Sequence, residues 1–138
     1  MITSAGFYYY RQLTERLKNC RITILADQFT YIQLLLIKMD VECERPIEFV
    51  QFVDGLFFGD KLWPQRFHDT YRRYTVYSVC LDSFGKRFRF RQNAVQINYR
   101  LKMNQGFMFH VNFVKQKMPG KFPCVCVCYV DFFQFIFL

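Results

Sequence analysis

Two histidines, six cysteines and eleven carboxylates are the side chains with which this 138-residue chain could do chemistry, and their spacing decides what is open to them. His68 directly precedes Asp69 in "DKLWPQRFHD", a stretch broken by Pro64. A catalytic triad would also need a nucleophile held against the imidazole, and the chain has neither a G-x-S-x-G turn nor a cysteine in an activating setting. His68 is therefore expected on a solvated loop. His110 sits between Phe109 and Val111 in an alternating run, where a histidine serves as a structural or polar-face residue. The six glycines are scattered singly, so no phosphate-cradling loop is built. No catalytic residue is assigned, and the chain is expected not to be an enzyme.

Two clusters have the composition of a metal site without its geometry. Asp40, Glu42 and Glu44 alternate with Val41 and Cys43. On a strand, groups at i and i+2 stand about 6.8 Å apart, whereas a hard cation holds its oxygens at about 2.0–2.6 Å. Cys124, Cys126 and Cys128 diverge in the same way, with no histidine or further cysteine pair nearby to complete a tetrahedral set. No metal site and no cofactor is expected.

Binding chemistry is better represented. In "KRFRFRQ", Arg87, Arg89 and Arg91 alternate with Phe88 and Phe90, which on a strand gives one wet, basic face and one dry face. Together with Arg72, Arg73, Lys86, Arg100 and Lys102 they form the candidate contact set for nucleic acid or another anion, and Lys115, Lys117 and Lys121 follow soon after. Tyr71, Tyr74, Tyr77 and Tyr99 lie among them, the mixture with which open barrels track phosphates and stack bases. Two observations weigh against this reading. The phenylalanines of the run point away from its arginines, and Asp40, Glu42 and Glu44, if the register sets them across from or beside the arginines, would half-neutralise the stripe, at roughly 0.2–1 kcal/mol per pair. No RNP-type motif, zinc-finger spacing or recognition helix accompanies the basic residues.

The elements that must position these groups show a period of two through most of the chain. Ile22, Ile24 and Ala26, then Tyr31 to Met39, predict two strands with a turn at Ala26-Asp27-Gln28. "IEFVQFV" predicts a third, closed by the turn pair Asp54-Gly55, with "LFF" after it. Further strands are expected in "TYRRYTVYSVCLDSF", in "RFRFRQNAVQINYRLKM" with a bulge near Asn93-Ala94, and in "FMFHVNFVKQK", where Phe107, Phe109, Val111 and Phe113 share one face. "YYYRQLTERLKN" fits either a helix or the first strand. The expected fold is all-β: an antiparallel sandwich or partly closed barrel of about seven or eight strands, with room for one short helical turn.

Residues 1–69 carry eight Lys and Arg against nine Asp and Glu, whereas residues 70–138 carry eleven against two, so the formal charge of +8 resides in the second half. Such asymmetry suggests an anionic partner or an acidic neighbour within the fold. "MITSAGFYYYRQ" lacks the basic and apolar regions of a secretory signal. The cysteines are accordingly expected as free thiols in a reducing compartment, cytoplasmic or nuclear, and the protein is not expected to be secreted.

Residues 1–122 are expected to form one all-β domain, followed by the apolar tail 123–138. From Cys124 to Leu138 the tail has fifteen residues interrupted by Asp131 and Gln134, short of the about 20 apolar residues of a spanning helix. It reads as a strand apolar on both faces, covered by the domain or by another copy, with Val125, Val127, Tyr129, Phe133, Phe135 and Phe137 as candidate self-association residues. The leading expectation is a non-catalytic intracellular β-sandwich acting through protein–protein contact, including homo-oligomerisation. Nucleic-acid binding through residues 72–121 is the alternative, and association with a membrane surface through the tail the third. In composition alone, the Phe- and Tyr-rich, motif-poor chain resembles small accessory proteins of large DNA viruses.

Overall fold

The computed structural model describes residues 1–42, 47–58, 61–63 and 76–116, of which 57–58 and 61–63 as backbone only. Ten strands and one short 3-10 turn occupy them. They are β1 (Gly6–Arg11), β2 (Cys20–Leu25), β3 (Thr30–Met39), β4 (Phe49–Asp54), β5 (Leu56–Phe58), β6 (Lys61–Trp63), β7 (Val76–Ser78), β8 (Arg87–Arg89), β9 (Ala94–Arg100) and β10 (Gly106–Lys115), with the turn at Leu81–Ser83. The ambiguous N-terminal segment is thus a strand as far as Arg11.

Eight strands form two antiparallel four-stranded sheets, in the orders β1-β10-β3-β8 and β2-β9-β4-β7. They stack as a sandwich and do not close into a barrel. The chain changes sheet at nearly every connection, and among the described residues the first strand, β1, pairs with the last, β10. This order is the connectivity of a double-sheet jelly roll, with β5 and β6 as an inserted hairpin between β4 and β7.

Alternation decides which side chains meet between the sheets. Ile32, Leu34 and Leu36 of β3, Phe107, Phe109 and Val111 of β10, Ile22 and Ile24 of β2, Val50 and Phe52 of β4 and Val95 and Ile97 of β9 are all buried in one core. Two aromatic groups join this core to rings packed against it. Tyr10, Tyr99, Phe107 and Phe109 pack at centroid separations of 5.2 to 6.1 Å. Phe88, Phe90 and Tyr77 surround Phe52, whose ring stands 5.1 Å from Phe88 and 6.5 Å from Phe109 and so joins the groups. Edge-to-face and offset pairs of this kind are worth about 0.5–1.5 kcal/mol each beyond their buried area.

Three expectations need correction. "RFRFRQNAVQINYR" is not one bulged strand: β8 ends at Arg89 and β9 begins at Ala94 in the other sheet. The buried Asp54 carboxylate holds the crossing, accepting the N–H groups of Arg91 and Gln92 at 2.9 Å each. Asp54-Gly55 is likewise no hairpin turn. Gly55, at φ 116°, bends the chain from β4 straight into β5, a backbone angle that favours glycine. Finally, Cys80 is disulfide-bonded, while Cys20 is a free thiol. The step from six free thiols to a reducing compartment lapses with that bond.

Candidate anion-binding face

The inner sides of β1, β10, β3 and β8 are committed to the core, so their other sides form the outer face of the first sheet. Register fixes which residues become neighbours there. Phe7 lies opposite His110, His110 opposite Leu35, and Leu35 opposite Arg87, making one row across all four strands. Asn112, Gln33 and Arg89 form the next row, and Tyr9, Met108 and Lys38 another on the far side of the first.

The face combines cations with rings. The Arg89 guanidinium lies 4.2 Å over the Tyr31 ring, a diagonal cross-strand neighbour, and Lys38 Nζ is 5.6 Å from the Tyr9 ring. Phe7 and the His110 ring are 4.6 Å apart and tilted by 58°. Phe7 is 67% and Tyr9 47% exposed, so these rings present free surface. Between the first two rows is a shallow depression of about 240 Å³ lined by Gln33, Leu35, Arg87, Arg89, His110 and Asn112.

Asp40 does not neutralise Arg87 or Arg89. Arg87 and Arg89 stand across from Leu35 and Gln33, well along β3 from Asp40. Asp40 pairs instead with Lys38 at 3.7 Å and accepts the Gly106 N–H at 3.2 Å. Among the described residues no carboxylate forms an ion pair with Arg87 or Arg89, and Glu44 lies outside them.

The remaining candidates scatter. Lys86 is exposed in the turn before β8 and extends the basic edge. Arg91 lies in the bend after β8, off the face. Arg100 belongs to the second sheet, its Nε donating to Asn19 Oδ1 at 2.7 Å and its guanidinium 5.7 Å from the Phe49 ring centre. Lys102 is engaged within the fold: its Nζ is 2.6 Å from Oε1 of Glu48, whose side chain is 1% exposed, and Gln105 donates to the other carboxylate oxygen. Arg72 and Arg73 lie outside the described residues. So do the tail residues Val125, Val127, Tyr129, Phe133, Phe135 and Phe137.

Tyr77 and Tyr99 pack against the core, so neither serves as a base-stacking ring. Burial, followed by the nearby Cys20 thiol and its hydrogen bond, pushes the Tyr99 phenol up to about 12. Burial likewise raises Tyr10. The rings that do reach the basic face, Phe7, Tyr9 and Tyr31, come from the first third of the chain, outside the basic half that drew attention in the sequence. Their alternation was visible in "GFYYYR" and "TYIQLL", but nothing local tied those strands to β8.

No helix among the described residues is long and apolar enough to cross a membrane. Comparison with protein-family models and with curated proteins finds no match.

Proposed function

We propose that the outer face of the first sheet binds single-stranded nucleic acid, with Arg87, Arg89, Lys86 and Lys38 as the phosphate contacts and Tyr31, Tyr9, Phe7 and His110 as the stacking surface. The observation that carries this reading is the placement of Arg89 against Tyr31 on an open sheet face beside Arg87, which has no ion pair among the described residues. Cations that track a backbone and rings that receive splayed bases are the two requirements of such sites. A flat sheet offers no element to enter a duplex groove, whereas unpaired bases can lie against exposed rings. Gln33, Asn112 and His110 supply hydrogen-bonding groups between the cations and the rings.

Fluorescence anisotropy of a labelled oligonucleotide, single-stranded and as a duplex, over a range of salt concentrations tests this. Single strands are expected to bind more tightly, with affinity falling as salt rises. The double substitution Arg87→Ala with Arg89→Ala should lower the log–log salt slope by about 1.4, at about 0.7 per phosphate contact. Tyr31→Ala should weaken single strands more than duplex. Salt-independent binding, or an unchanged slope in the double variant, would overturn the proposal.

A further inference from the structure

We infer that β1 is a pairing edge for a second copy of this chain, joining two first sheets into one eight-stranded sheet. An exposed strand edge presents unpaired N–H and C=O groups, and natural sheets guard such edges by shortness, charge or cover. Among the described residues, three of the four edges of the two four-stranded sheets are guarded. β7 and β8 are three residues long, and β8 carries Arg87 and Arg89 beside Lys86. The edge of β2 is covered by the N-terminal segment, where Ile2 N–H donates to Thr23 O and Leu25 N–H to Ile2 O.

β1 has none of these protections among the described residues. It runs for six residues, "GFYYYR", without proline or bulge in its register to β10. The Gln12 N–H donates to Gln105 O, and Gln12 O accepts from Asn104 N–H, so Gln12 directs its backbone groups at the β10 side. Alternation then turns those of Tyr8 and Tyr10 the same way and those of Phe7, Tyr9 and Arg11 outward. Those three are also the exposed side chains of the strand.

The occupant follows from charge and shape. The first seventeen residues contain only Arg11, Glu15 and Arg16 as charged side chains, so two copies can approach here, whereas at β8 like charges oppose them. Met1, Phe7, Tyr9, Leu13 and Leu17 make this region the main concentration of exposed large apolar side chains among the described residues. An antiparallel pairing of β1 with itself about a two-fold axis sets Phe7 opposite the second copy's Tyr9, or Tyr9 opposite itself, and both registers bring rings together on the outer face. Each register also uses only the outward backbone groups, so no bond to β10 is given up.

Sedimentation velocity of the full chain over rising concentration, with site-resolved amide exchange, tests the inference. The expected result is a dimer in which the Phe7, Tyr9 and Arg11 amides gain protection on association while those of Tyr8 and Tyr10 are protected throughout. Tyr9→Pro removes an outward N–H and no bond to β10, and should weaken association about tenfold or more. Phe7→Lys with Tyr9→Lys, which leaves the backbone intact, should do the same. A chain that stays monomeric up to its solubility limit, a dimer that persists in the folded variants, or protection gained elsewhere would overturn the inference.

Discussion

Both edges of the first sheet are anchored by inward aromatic rings, but they are dressed differently. Below β8, Phe88 packs on Phe52 and Tyr77; below β1, Tyr8 and Tyr10 stack on Phe109. Each edge strand is thus fastened by inward aromatic rings. Outward, β8 shows Arg87 and Arg89, while β1 shows Phe7, Tyr9 and a single cation, Arg11. Fastening leaves the outward positions free, so the two proposals divide along them: charge at β8 for an anion, rings at β1 for another copy.

The largest effect is expected where that fastening is removed. Phe88→Ala should cost about 3 kcal/mol in urea unfolding, because an aromatic ring at the junction of Phe52 and Tyr77 is lost. Tyr8→Ala removes a ring that stacks on Phe109 alone among the described rings, and should cost less. Equal losses would mean the two anchors are equivalent.

A second contrast separates cations that stabilise from cations that face solvent. Lys102→Ala removes an ion pair to the buried Glu48 carboxylate and should cost about 2 kcal/mol of stability while leaving the salt slope of oligonucleotide binding unchanged. Arg89→Ala should do the reverse. If both variants behave alike, the division between the basic face and the rest of the basic half fails.

The smallest effect concerns the β1 side of the core. Tyr99 keeps its proton in the folded chain up to about 12, against 10.0 for an unperturbed phenol. The unfolded chain therefore releases this proton first as pH rises. The neutral phenol's contribution is complete below pH 10 and is lost on the way to pH 12. Tyr99→Phe should flatten that part of the stability profile, measured by denaturant unfolding at stepped alkaline pH. Stability that rises with pH over this interval would contradict the assignment.

Much of the architecture was readable in side-chain alternation, for a local reason. Phe107, Phe109 and Val111 fall on one side of β10 and His110 and Asn112 on the other because the strand period is two, whatever the partner. Arg87 and Arg89 were separated from Phe88 in the same way. Strand adjacency was not readable. That Arg89 meets Tyr31, and that Phe7 lies in one row with Arg87, follows from pairings across the whole chain that no local pattern encodes. Composition also misled at Lys102 and Arg100, whose positions in the basic run gave no sign of Glu48 or Asn19 as partners.

The pairing of Gly6 with Val111 carries a consequence for the making of the protein. A ribosome delivers β1 well before its ladder partner, which is finished only when Lys115 has emerged, so the first sheet cannot assemble while the strands between them are being synthesised. Closing so long a loop before any reward makes folding slow. Throughout that wait Phe7, Tyr8, Tyr9 and Tyr10 stand uncovered on the nascent chain, where chaperone capture competes with misassembly between neighbouring polysomes.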